Sequence, residues 1–208
     1  MLIPLNLLCE KLNLKITGVL HIGAHECEEQ QSYLNQGIKN NNIYWVEAME
    51  NKVIEMKSKN SVLNIYQAVI DNKDNKEIIF NIADNGQSSS ILEFGSHSTH
   101  HPHVKMISSK KLKTTRLDTL IKNKNIPIEN INFLNLDIQG KELDALKSMG
   151  NYIHHIKYIY TEVNTEYVYK NCGLLSEIDN FLNEKGFVRV ACRMFRNAGW
   201  GDAFYIKK

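Results

Sequence analysis

Gly18-Val19-Leu20-His21-Ile22-Gly23-Ala24-His25-Glu26 runs from an apolar stretch of strand length, through a glycine, into polar residues. Gly18–Ile22 reads as a buried strand, and Gly23 lets the chain turn sharply at its end. From Glu26 to Gln36 the residues read as a helix: three acids stand in its first turn and Gly37 lies just past its end, as the helix dipole and a C-terminal stop require. A strand that feeds a helix through a glycine predicts backbone N–H groups and a helix N-terminus facing a ligand. One glycine at such a junction is also ordinary turn chemistry, so its meaning depends on what surrounds it.

Outward from this segment the same alternation continues. Ile43–Glu47, Leu63–Val69, Ile131–Asp137, Lys157–Val163, Phe187–Cys192 and Ala203–Lys207 are further candidate strands separated by helix-length segments, the pattern of an α/β protein. Gly150 and Gly186 repeat the helix stop signal, and Leu174, Leu175, Ile178, Phe181 and Leu182 form the buried face of one helix. Residues 72–116 break the alternation with a strand at Ile78–Ile82, a polar stretch from Asp84 to His103 and a strand at Lys113–Thr115. They read as a β-containing insertion into a single domain of residues 1–208, and a loop this long is expected to act as a lid or binding loop.

A chain of 208 residues supports one substantial core. A net charge of +2, with 43% hydrophobic and 23% charged residues, gives no sign of a polyanionic partner. Residues 1–16 are apolar enough to resemble a targeting segment, but Glu10 and Lys11 interrupt them, so an amphipathic helix is expected. No run of ~18 apolar residues occurs, and a soluble, cytoplasmic protein is expected. Cys9, Cys27, Cys172 and Cys192 are scattered without a Cys-x-x-Cys pair and are expected as reduced, buried thiols.

Glu47 closes the second strand roughly 20 residues beyond Gly23, where nucleotide-binding α/β sheets place an acid on the ribose hydroxyls. A dinucleotide site would want further glycines after Gly23 so that a pyrophosphate can approach the backbone, yet His25 and Glu26 stand there. An acid in that place repels phosphate and tolerates the sulfonium and ammonium of S-adenosylmethionine. The charge pattern therefore favours methyl transfer over hydride transfer.

The chain resembles the FkbM family of methyltransferases, Rossmann-like enzymes associated with O-methylation of sugars and natural-product hydroxyls. The resemblance covers the chain from Gly18 onward and is carried by Val19-Leu20-His21-Ile22-Gly23-Ala24-His25, Trp45-Val46-Glu47-Ala48, Gln67-Ala68-Val69-Ile70-Asp71 and Gln87-Ser88-Ser89-Ser90-Ile91-Leu92. It continues through Arg116-Leu117-Asp118-Thr119-Leu120, Leu136-Asp137-Ile138-Gln139-Gly140-Lys141-Glu142 and Gly199-Trp200-Gly201-Asp202-Ala203. It implies a class I methyltransferase fold, with a mostly parallel seven-stranded sheet and helices on both faces. It also implies that His21, Gly23, Ala24 and His25 line the methionine part of S-adenosylmethionine, that Glu47 with Ala48 holds the ribose, and that Ala68 and Val69 flank the adenine. Asp137 would sit beside the transferred methyl. This chain departs from the family pattern at His21, Cys27 and Gln139, and Gln139 cannot serve as a base.

Methyl transfer to oxygen needs a positioned hydroxyl and a group to remove its proton. Asp137 is the first candidate base and Glu162 the second, because both end adjacent strands; Ser88, Ser89, His101 and Asn164 are candidate acceptor contacts. His97, His100, His101 and His103 lack the acid or cysteine partners of a metal site, and His21, His25 and Cys27 would point apart, so no metal is expected. The leading expectation is O-methylation of a sugar, glycan or small-molecule hydroxyl by a carboxylate base. A ribose 2′-O-methyltransferase acting on RNA would use Asp137, Glu162 and Lys141, but only Lys105–Lys113 looks basic, which reads as a solvated strand pair. A cofactor-binding module without catalysis is the third reading, supported by Gln139.

Overall fold

The computed structural model describes all of residues 1–208. Ten strands form two sheets. The larger has seven strands in the order β3 (Asn64–Gln67), β2 (Ile43–Glu47), β1 (Val19–Ile22), β7 (Phe133–Leu136), β8 (Tyr158–Asn164), β10 (Trp200–Lys207), β9 (Phe187–Met194). The first five run parallel, and β10 lies antiparallel between β8 and β9. The chain steps outward from β1 to β3, then returns to β7 beside β1 and steps the other way. That reversal opens a crevice at the carboxyl ends of β1 and β7.

The central strands are buried on both faces, as a parallel sheet covered by helices must be. Alternate residues separate two cores. Leu20, Ile22, Leu134 and Leu136 point to one face, packed against Leu117 and Leu120 of α5 (Leu117–Asn123), Leu146 of α6 (Glu142–Ser148) and Ile178 and Leu182 of α7 (Leu175–Glu184). Val19, Trp45 and Phe133 point to the other, beneath Leu5 and Leu8 of α1 (Leu5–Leu12), Tyr33 of α2 (Gln30–Asn35) and Val53 and Met56 of α3 (Glu50–Lys59). The apolar stripe expected around Ile178 and Leu182 is core. No helix is long and apolar enough to cross a membrane.

Several local expectations are corrected. The helix after β1 begins at Gln30, not Glu26, because His25 (φ 42°) and Cys27 (φ 56°) adopt left-handed backbone that no α-helix accommodates. The predicted strand Leu63–Val69 divides: β3 ends at Gln67 and β4 (Val69–Ile70) crosses to the second sheet. That sheet has the order β4, β6 (Met106–Thr115), β5 (Glu77–Ala83), so Lys113–Thr115 is the end of a ten-residue strand whose lysines are exposed. The polar stretch between β5 and β6 is folded inward: Ser88, Ser89, Ser90 and His97 are all buried, His97 within the short α4 (His97–His100). Cys27 and Cys172 are buried, but Cys9 is half-buried and Cys192 is exposed, because β9 is the sheet edge; all four thiols are free.

Candidate active site

The crevice at the switch point has a volume of about 480 Å³, within the range of small-molecule sites. Its near side is the loop after β1. Gly23 has φ +92°, and a Cβ there would lie 1.7 Å from the Asp137 carbonyl oxygen, so only glycine lets the ends of β1 and β7 meet. The N–H groups of Gly23 and Ala24 donate to the Val46 carbonyl (2.9 and 3.0 Å), and that of His25 donates to Glu47 Oε2 (2.8 Å). These donors are occupied and the helix starts at Gln30, so the free N–H groups and helix N-terminus expected to face a ligand directly after Gly23 are not formed. Glu26 turns away to Lys52, and Glu28 and Glu29 line the crevice instead. The His25 ring binds Glu28 at 2.7 Å, and this carboxylate contact raises the imidazole above its ordinary pKa.

Glu47 stands at the tip of β2, 6% exposed, with Oε1 accepting from the Met49 N–H at 2.8 Å. Two backbone donors fix its carboxylate at the crevice, while burial raises its pKa. Ala48, Ala68, Val69, Ile70 and Phe80 add an apolar wall beside it. His21 reaches the crevice floor, but its ring is buried, packed at a tilt against Trp45 at 4.7 Å and bonded to the Tyr33 hydroxyl at 2.9 Å. Burial holds it neutral, with a pKa lowered to about 3. Ala24 packs into the core beneath α2 and does not line the crevice.

On the far side the turn Asp137-Ile138-Gln139-Gly140 follows β7. Glu142, fully buried, accepts from the Ile138 N–H at 2.9 Å and the Gly140 N–H at 3.0 Å and so fixes the turn. Gln139, at φ 57°, gives its amide N–H₂ to Asp137 Oδ1 (2.6 Å) and Glu162 Oε2 (2.8 Å) and accepts from the Tyr169 hydroxyl (2.5 Å). Asp137 is solvent-exposed at the crevice, where its carboxylate opens. Desolvation by the protein around it, then the neighbouring Asp202, push its pKa up to about 6. Glu162 is 7% exposed, and burial, then Asp137, Glu142 and Asp202, hold it well above the carboxylate range.

Ser88, Ser89 and His101 line the crevice from the insertion. Gly86 brings that loop against the His25 ring: a Cβ there would sit 3.1 Å from Nε2. Asn164 does not line the crevice; its side chain is fully buried with both amide atoms unpartnered. The sequence reading missed Asp202, whose carboxylate accepts from the Tyr160 hydroxyl and the Leu2 N–H. It also missed Tyr169 and Trp200, which wall the crevice beside His97. Asp202 faces Glu162 only through the antiparallel register of β10 on β8, a pairing with no local sequence signal.

The methyltransferase FkbM domain model matches residues 21–189. The chain belongs to the FkbM family of S-adenosylmethionine-dependent methyltransferases. The FkbM methyltransferase of Methylobacillus flagellatus superposes with a TM-score of 0.56 at 13% identity, over 91% of this chain and 43% of that one, so this chain spans less than half of that protein's length. Magnesium protoporphyrin IX methyltransferase of Synechocystis with bound S-adenosylhomocysteine gives 0.50 at 10% identity, over 98% and 80% of the two chains. A Streptococcus pneumoniae protein proposed as a tRNA (m1A22) methyltransferase gives 0.52 at 10% identity, over 99% and 70%. These likenesses show a common fold. No curated protein matches the chain.

The FkbM-family cofactor fits this crevice. Glu47 is a buried carboxylate fixed where it could accept from ribose hydroxyls, Ala68 and Val69 line an apolar slot, and Glu28, Glu29 and Asp137 suit a cationic amino acid. Lys141, the sole lysine or arginine lining the crevice, is held by Asp71 at 2.9 Å and by Asp144. The Met1 ammonium, which also lines the crevice, is 3.7 Å from Glu29, so both groups are already paired with carboxylates.

Proposed function

We propose that the protein O-methylates a hydroxyl of a sugar, glycan or related small molecule, with a carboxylate of the Asp137–Glu162 pair as base. When bound, S-adenosylmethionine supplies an electrophilic methyl group carried on a sulfonium. The protein's part is to seat the acceptor hydroxyl and take its proton. The observation that supports this most is the shared amide of Gln139, which holds Asp137 and Glu162 side by side at the carboxyl ends of adjacent strands. Two carboxylates so close tend to share a proton, leaving one ionised to act as base near neutral pH.

Gly23 and His25 border the methionine end in this reading, Glu47 with Ala48 the ribose, and Ser88, Ser89 and His101 contact the acceptor. The exposed lysines of β6 do not line the crevice, which weighs against RNA as acceptor. Four free thiols agree with a cytoplasmic setting. A screen of mono- and oligosaccharides with methyl-labelled cofactor, read by mass, tests the proposal. It expects a labelled ether on a sugar hydroxyl, lost in Asp137→Asn together with Glu162→Gln. Label on RNA, or label on sugars that survives the double substitution, would overturn it.

A further inference from the structure

A line of rings leads from the paired carboxylates to the protein surface. It starts at Tyr169, whose hydroxyl binds Gln139. His97 lies 5.5 Å from Tyr169 and stacks on Phe94 at 4.0 Å with planes 11° apart. His101 follows at 5.0 Å from His97. Trp200 lies 6.5 Å beyond His101, and Phe195 stacks on Trp200 at 4.9 Å and 6°. Exposure grows along the line, from 1% at Tyr169 and 5% at His97 to 44% at Phe195. Three separate segments build it: the insertion, the loop after β8, and the β9–β10 hairpin.

The polar atoms on this line are neutral and partly unclaimed. Burial, then His101, lowers His97 to about 4, and burial also lowers His101. His101 Nε2 accepts from the Trp200 indole N–H at 3.2 Å, which leaves its Nδ1 as a donor. His97 Nδ1 is buried without a partner. The line therefore offers flat apolar faces with uncharged hydrogen-bonding edges, beside a floor of carboxylates and no free lysine or arginine. A pyranose ring matches this chemistry: its C–H face packs on aromatic rings and its hydroxyls meet neutral donors and acceptors. An anionic sugar would meet Asp137, Glu162 and Asp202, while Lys141 is already held by Asp71 and Asp144 and the Met1 ammonium by Glu29.

We infer that the acceptor is an uncharged oligosaccharide, with the methylated residue at the Asp137–Glu162 floor and the next sugar rings on the platform of His101, Trp200 and Phe195. This rests on the proposed sugar O-methylation and adds chain length and charge to it. The chain has two tryptophans, and Trp45 is fully buried in the core beneath α2, so ligand-induced fluorescence change reports Trp200.

Titrations with malto-, cello- and chito-oligosaccharides of one to four residues, with S-adenosylhomocysteine present, test it, using tetragalacturonate as the acidic control. At least one neutral tetramer is expected to bind about tenfold more tightly than its monomer, and Phe195→Ala should remove most of that gain. The same variant should bind S-adenosylhomocysteine unchanged by calorimetry, which shows that it is folded. Equal affinity for monomer and tetramer, indifference to Phe195→Ala, or preference for tetragalacturonate would overturn the inference. Length-dependent binding without methyl transfer would sink the proposed reaction and keep the platform; transfer without length dependence would do the reverse.

Discussion

Gln139 is an amide set between two carboxylates, and its surroundings explain what it does there. One N–H₂ donates to two carboxylates while the carbonyl accepts from Tyr169. A glutamate would place a further negative charge against Asp137 and Glu162 and raise the pKa of both. Gln139→Glu should therefore shift the pH–rate profile of methyl transfer toward alkaline pH by about one unit, which initial rates from pH 5 to 9 would show. In the wild type the base must be ionised, and both carboxylates are raised, chiefly by desolvation. Activity is expected to fall on acidification already above the ordinary carboxylate range. Asp137→Asn together with Glu162→Gln should cost about 10²–10⁴-fold in rate, and Glu162→Gln alone should stabilise the fold. A carboxylate with a raised folded-state pKa destabilises the native state as pH climbs past its unfolded value. The variant's melting temperature should exceed the wild type's at pH 8, by about 2–4 °C per kcal/mol relieved, and match it near pH 4. Equal melting temperatures at both pH values would show that Glu162 ionises freely in the crevice.

Elements were legible where periodicity was strong and illegible where a few dihedrals decided the path. The strand Gly18–Ile22 and its glycine turn could be read directly, since an apolar run must be buried and a close approach needs glycine. The helix start could not, because His25 and Cys27 take left-handed backbone that their residue types do not announce. The insertion's two strands were visible in part, but the burial of Ser88, Ser89 and His97 was not, because polar residues give no periodic sign of what covers them. Gly23→Ala tests the element that positions the site. Its Cβ would fall on the Asp137 carbonyl, so the variant should lose about 1–3 kcal/mol of stability by thermal or urea unfolding. It should also bind cofactor more weakly by calorimetry at a temperature where circular dichroism shows it folded.

At the scale of the molecule, the reversal of strand order between β1 and β7 gathers Gly23, Glu47, Ala68, Asp137 and Glu162 at one end of the sheet. The glycine and Glu47 could be linked in advance because their spacing is local to one strand–helix–strand unit. Asp202, Tyr169 and Trp200 could not, because they reach the crevice through the β8–β10 register and the packing of two distant loops. Isothermal calorimetry with S-adenosylmethionine tests the central claim, that this crevice is a cofactor site anchored on Glu47. One molecule should bind per chain with a dissociation constant of about 1–100 μM, and Glu47→Ala should weaken binding at least ~10-fold by removing a fixed, buried acceptor. No heat at millimolar ligand from folded protein, or unchanged affinity in Glu47→Ala, would contradict it.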